Sequence, residues 1–215
     1  MLQHVYERTR RATRLSAVVV ATDDQRIFDA AGAFGGRAVM TSPAHACGTD
    51  RVAEVAAGPE GAGAELIVNV QGDQPLIDPE ALDRLVAAFD DDGELRMATL
   101  FEPIADEATL RDPNVAKVVA DRHGDALYFS RSPIPHQREG GRPAGCFKHV
   151  GVYAFRKDFL FEYARMERGR LETLESLEQL RVLEAGHRIR LVPSTGSSLS
   201  VETPGDLQRV EALMQ

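Results

Sequence analysis

The sequence predicts a single α/β domain over residues 1–215, with a mixed, mainly parallel sheet and a small antiparallel insertion. Three observations lead there. Residues 15–89 alternate short apolar runs with helical segments. Those runs are continuously apolar, as strands covered on both faces are. Residues 97–155 then hold strands that succeed one another without helices between them, which marks the inserted antiparallel portion.

The elements come in this order. Residues 2–13 put Leu2, Val5, Tyr6 and Ala12 near one helix face. Leu15–Ala21 reads as a buried strand ending in Thr22-Asp23-Asp24, with a Thr or an Asp of that run capping the helix Gln25–Ala33. Ala38–Met40 is a short strand, Asp50–Ala57 a helix and Leu66–Gln71 a strand. Asp78 with Pro79 after it is a cap-and-first-turn signal opening a helix to Phe89. Strands are expected at Met97–Phe101, Val115–Ala120, Ala126–Ser130 and His149–Phe155, with a Pro/Gly/Arg loop from Ser132 to Gly145. Helices Lys157–Met166 and Thr173–Ala185, strand Arg188–Val192 and helix Leu207–Met214 complete the chain. Thr203, Pro204 and Asp206 cap the last helix.

Composition narrows the function. A net charge of −8 argues against a general nucleic-acid binder, which needs a basic footprint. No apolar run approaches ~18 residues, so no membrane span is expected. The first residues carry no secretory apolar block, which predicts a cytoplasmic protein. Cys47 and Cys146 are isolated and read as reduced thiols, and no His/Cys cluster has zinc spacing.

Chemistry concentrates at strand ends. Asn69 to Pro75, reading Asn-Val-Gln-Gly-Asp-Gln-Pro, comes after a buried strand, where ligands bind in open α/β sheets. Asp73 suits Mg²⁺, which takes one or two carboxylates plus phosphate oxygens and water; a turn aspartate is the plainer alternative. Thr22 and Asp23 end another strand and read equally as a helix cap. His45 to Arg51 precedes a helix, with Gly48 allowing close approach and Arg51 offering a fork of donors.

Eight blocks in one order now become informative together: 19–23, 45–54, 67–75, 97–100, 112–119, 126–131, 149–153 and 177–183. With them the chain resembles the 3-deoxy-manno-octulosonate cytidylyltransferase (CMP-Kdo synthetase) family over essentially all 215 residues. The resemblance implies a Rossmann-like nucleotide-diphospho-sugar transferase fold. It also implies transfer of CMP from CTP to the acid sugar Kdo, for lipopolysaccharide assembly, with Mg²⁺ as cofactor and a homodimer as the assembly. By the same resemblance Asp73 is the catalytic metal ligand and Gln71 faces the sugar. Thr22, Asp23, Thr49, Asp50 and Arg51 match the cytidine cradle, and Arg131, His149, Tyr153, Glu178 and Gln179 line the sugar pocket. Arg131 suits a carboxylate, and Glu178 and Gln179 suit hydroxyls; a surface ion pair and a helix surface are the plainer alternatives. Glu202 stands where the family has a second metal aspartate. A cytidylyltransferase for another acidic sugar, such as a sialic-acid relative, and a non-catalytic nucleotide-binding protein are the competing readings.

The start of the chain departs from the family, whose members open with a strand and a basic, glycine-rich loop. Met1 to Val5 resembles the residues on the far side of that loop, so half of a ~30-residue βαβ unit is missing. A gap or open edge in the sheet is therefore expected. Loss of three charge-assisted hydrogen bonds, roughly 1.5–3 kcal/mol each, predicts that the chain as written is nearly inactive.

Overall fold

Local side-chain chemistry sets most helix starts. In the computed structural model, which describes residues 1–138, 145–195, 198–201 and 203–214, the carboxylates of Asp24, Asp78 and Asp106 accept from backbone N–H groups at the starts of three helices. These helices are α2 (Gln25–Ala33), α4 (Pro79–Asp91) and α5 (Glu107–Arg111). Thr203 and Asp206 form a reciprocal capping box on α9 (Pro204–Leu213). The other helices are α1 (Leu2–Thr9), α3 (Gly48–Ala57), α6 (Lys157–Tyr163), α7 (Arg170–Glu175) and α8 (Leu180–Glu184).

The strands are β1 (Val20–Thr22), β2 (Ala38–Met40), β3 (Leu66–Asn69), β4 (Met97–Pro103), β5 (Lys117–Ala120), β6 (Ala126–Ser130), β7 (Phe147–Arg156) and β8 (Arg190–Pro193). β1 and β2 pair in parallel as a sheet of their own. The larger sheet runs β6-β5-β7-β4-β8, with β3 added beside β7. β3, β4 and β5 all oppose β7, β8 parallels β4, and β6 opposes β5. Four of its six strands thus share a direction, as the mixed, mainly parallel reading requires. β7 is the strand that joins the halves, and its residues sort by parity. Val150, Val152 and Ala154 enter a core with Leu82, Leu85, Phe89 and Leu100. Tyr153 and Phe155 enter a second core with Phe129, Phe159, Leu180 and Val182. Both faces are covered, which is why these strands carry no exposed polar stripe.

The sheet has an open place. Among the described residues β1 pairs only with β2, and β3 only with β7. Between them lies a slot of about 590 Å³ whose lining includes Val19, Val20, Ile67 and Val68. The expected strand Leu15–Ala21 accordingly shrinks to Val20–Thr22. Its earlier residues have no partner to build a ladder with, and an apolar run becomes a strand only when it is paired.

Two further readings are corrected. The short helix α5 was not anticipated, although Asp106 and Thr109 carry its cap. The expected helix Thr173–Ala185 is two helices, broken at Ser176 with φ 52°. A buried, bidentate pair, Glu172 with Arg181, clamps α7 to α8 across that break, with both nitrogen–oxygen distances 2.7 Å. Leaving Arg181 buried without its acid is costly. Glu172→Ala is expected to lower the unfolding free energy by about 3–5 kcal/mol in urea titration. A loss below about 1 kcal/mol would mean that the clamp is not holding the segment.

Candidate active site

The ends of β3 and β7, the turn before β5 and the α7–α8 break enclose a pocket of about 860 Å³. Seven of the predicted residues line it: Gln71, Asp73, Arg131, His149, Tyr153, Glu178 and Gln179. They come from positions more than a hundred residues apart in sequence, so the sheet brings them together.

Asp73 sits just past β3, and burial raises its pKa above the ordinary carboxylate value. Its Oδ1 is buried and has no hydrogen-bond partner among the described residues. Such an oxygen is expensive to hold unless a donor or cation arrives. The adjacent Gln74, which lines the same pocket, has a second buried acceptor, Oε1, without a partner among the described residues, a feature the sequence reading did not single out. Val201 N donates to the Asp73 carbonyl at 2.8 Å, and Ser200, Thr203 and Asp206 also line the pocket. The start of α9 is thereby tied to the end of β3. Glu202, the expected second metal ligand, lies outside the described residues.

The donor set fits Mg²⁺ bound with a nucleotide. No group of three or more His, Cys, Asp or Glu residues is arranged for a metal among the described residues. Magnesium does not need one, since it keeps waters and takes phosphate oxygens beside one or two carboxylates. Asp73 Oδ1, without a partner among the described residues, is a hard oxygen of the kind such a cation takes.

The back wall is a saturated donor chain. Tyr153 O–H donates to Gln179 Oε1 at 3.1 Å, and Gln179 Nε2 stands 3.5 Å from His149 Nδ1. His149 Nε2 is 2.9 Å from Thr99 Oγ1, which itself donates to the Val152 carbonyl at 2.8 Å. Thr99 has thus spent its proton, so His149 must carry hydrogen on Nε2 and accept on Nδ1. Phe129 and Tyr153 flank the imidazole. Burial pulls the His149 pKa down to about 3, so the ring is neutral at working pH. Glu178 accepts from Thr49 Oγ1 at 3.0 Å and from Tyr163 O–H at 3.3 Å, and burial raises its pKa.

Arg131 has a different setting from the one the sequence suggests. Its guanidinium donates to the carbonyls of Glu175, Pro113, Asn114 and Ser176 at 2.9–3.4 Å. It therefore cross-links the pocket walls while presenting its charge there. Lys148 is the lysine of the lining that sequence reasoning missed; it pairs with buried Glu102 at 2.9 Å. Only the fold reveals it, because nothing in its local sequence marks it.

The residues expected to cradle cytidine stand apart from this lining. Asp23 pairs with Arg51 at 3.0 Å, and Arg51 also donates to Thr41. Thr22 Oγ1 accepts from Asp24 N, and of the run Thr22-Asp23-Asp24 it is Asp24 that caps α2, not Thr22 or Asp23. Asp50 lies in the first turn of α3. Thr49 is buried and bridges Asn69 to Glu178, and Arg51 lines the slot. Gly48 and Gln71 line both slot and pocket, so the two spaces meet there.

A family profile described as cytidylyltransferase matches residues 1–189. The chain belongs to this family. Curated members called 3-deoxy-manno-octulosonate cytidylyltransferase include one from Solibacter usitatus, 51% identical over all of this chain and 84% of its own length. Another, from Geobacter metallireducens, is 52% identical over 98% of this chain and 85% of its own. A solved structure of CMP:2-keto-3-deoxy-manno-octonic acid synthetase complexed with CTP superposes with a TM-score of 0.90 at 43% identity, covering 99% of this chain and 86% of that one. A more distant structure, 4-diphosphocytidyl-2C-methyl-D-erythritol synthase from Anaerococcus prevotii, has a TM-score of 0.63 at 15% identity over 100% of this chain and 88% of its own, and shows the shared fold alone. Family membership makes the chain a nucleotidyltransferase with the Rossmann-like nucleotide-sugar transferase fold. No helix among the described residues is long and apolar enough to cross a membrane.

The buried imidazole gives a pH test. A folded pKa of about 3, below the ordinary 6.5, means that the unfolded chain takes up a proton first as pH falls. The contribution of neutral His149 is present above pH ~6.5 and is lost as pH drops toward 3. Nitrogen-15 NMR is expected to show His149 as the neutral Nε2–H form from pH 8 to pH 5. A midpoint above pH 6 would show that the donor chain is not closed as described.

Proposed function

We propose that this chain transfers CMP from CTP to the anomeric hydroxyl of Kdo, releasing pyrophosphate. The observation that carries the reading is the buried, unpartnered Asp73 Oδ1 facing a pocket otherwise furnished with hydroxyl-binding and cationic groups. The CTP-bound relative at 43% identity supports the nucleotide, and the curated relatives support the sugar.

In this reading the anomeric oxygen attacks the α-phosphorus in line; the new O–P bond forms as the bond to pyrophosphate breaks. Such transfers rest largely on positioning and charge neutralisation. Asp73, with Glu202 as the proposed second carboxylate, would hold Mg²⁺. The bound cation would offset negative charge on the triphosphate and favour ionisation of the sugar hydroxyl. Gln71, Gln179 and Glu178 address sugar hydroxyls, while Arg131 and Lys148 supply positive charge for its carboxylate. Neutral His149 and Tyr153 keep Gln179 oriented through the donor chain. Thr22, Asp23, Thr49, Asp50 and Arg51 form the cytidine side. We further propose a homodimer, supported by β6, which ends the sheet and leaves Leu127 62% exposed.

Calorimetry separates the metal claim from turnover. CTP binding is expected to be at least tenfold tighter with Mg²⁺ than with chelator, and Asp73→Asn is expected to remove that difference. With enzyme in excess over CTP, pyrophosphate release is expected to require Kdo and to yield CMP-Kdo. Binding of CTP without any Kdo-dependent release would favour a nucleotide-binding protein over a transferase.

A further inference from the structure

Thr49 stands in the first turn of α3 and is only 1% exposed. It lines neither the slot nor the pocket. Its hydroxyl is spent on a group 129 residues away in the sequence: Thr49 Oγ1 lies 3.0 Å from Glu178 Oε1 and 3.1 Å from Glu178 Oε2. Asn69, the buried last residue of β3, places Nδ2 3.2 Å from the same hydroxyl oxygen. Counting protons fixes the direction. A carboxylate only accepts and a hydroxyl carries one proton, so Thr49 donates to Glu178 and accepts from Asn69. The relay therefore runs from the end of β3, through the start of α3, to the α7–α8 break.

Glu178 is the member of this relay that lines the pocket. Burial raises its pKa, and the Thr49 hydrogen bond comes first among the contacts that oppose the rise. The other groups acting on the carboxylate are the Cys47 thiol ahead of α3, the Tyr163 hydroxyl on α6 and Arg181 on α8, while Tyr153 on β7 feels its charge. Tyr163 divides one proton between the Glu178 carbonyl and Oε2, both at 3.3 Å, and a thiol is a weak donor. Thr49 is closer and addresses both oxygens. A donor centred between the two oxygens fixes the carboxylate and still leaves it lone pairs for a ligand.

We propose that Thr49 is a positioning residue for Glu178: directed by Asn69, it holds the carboxylate at the pocket wall so that the remaining lone pairs receive sugar hydroxyls. A residue grouped with the cytidine side by its place on α3 thus acts on the sugar side, from within the protein. That a sugar is the ligand rests on the transferase reading; the hold on Glu178 does not.

Three variants of the full chain test this. Thr49→Val removes the proton and keeps the shape, Thr49→Ala removes it without crowding the site, and Thr49→Ser keeps it. Carbon-13 NMR of the Glu178 carboxyl is expected to show a higher titration midpoint in Thr49→Val and Thr49→Ala, because a donor to the ionised form is lost, and the original midpoint in Thr49→Ser. Calorimetry with Mg²⁺ is expected to show Kdo binding weakened at least about fivefold by Thr49→Val and restored by Thr49→Ser, with CTP affinity changed less than about twofold. Combined with Glu178→Ala, Thr49→Val is expected to weaken Kdo binding by less than about a further twofold. An unmoved Glu178 midpoint in both Thr49→Val and Thr49→Ala would overturn the proposal, whether or not Kdo binds. Equal losses of Kdo and CTP affinity would also overturn it, because Thr49 would then serve the nucleotide. A raised midpoint in a chain that binds no Kdo would uphold the hold on Glu178 and contradict the sugar reading instead.

Discussion

The structure depends on holding one carboxylate where water cannot fully serve it. Asp73 stands just beyond β3, its Oδ1 unpartnered among the described residues, its pKa raised by desolvation. A folded chain retains such a group when something outside the chain completes it. The surrounding architecture keeps it in place. Val201 fastens the approach to α9 onto the Asp73 backbone, and β7, clamped between β3 and β4, supplies the opposite wall.

The wall formed by Tyr153, Gln179 and His149 is organised differently, by saturation. From Tyr153 through Gln179, His149 and Thr99 to a backbone carbonyl, every shared proton has a place. The α7–α8 break makes this possible. Ser176, in the left-handed region, turns the chain so that Glu178 and Gln179 face the pocket instead of lying along one helix. Arg131 and Glu175 fasten the break to β6, and Lys117 fastens the turn before β5 through the carbonyls of Asp112, Val115 and Arg131. Ionic groups here act mainly on backbone, which stiffens loops that would otherwise open.

Local features were the ones legible in the sequence. Asp78-Pro79 and Thr203 with Asp206 mark helix starts because their hydrogen bonds reach only two or three residues. Of the seven pocket residues only Asp73 could be read from its place behind a strand; the other six came from the resemblance to the family. Failures came where pairing decides. Leu15–Val19 has a strand's composition but no ladder, and 173–185 has a helix's periodicity but breaks at Ser176. Lys148 and Gln74 were invisible because their importance comes from Glu102, Ser200 and the pocket, all distant in sequence.

If Asp73 waits for a cation carried with a nucleotide, that cation can be located directly. Crystals grown with CTP and Mn²⁺, measured at the manganese edge, would do so. An anomalous peak is expected at bonding distance, about 2 Å, from Asp73 Oδ1, with triphosphate oxygens completing the coordination. An ordered nucleotide–metal complex in this chain that leaves Asp73 untouched would refute the role given to this carboxylate.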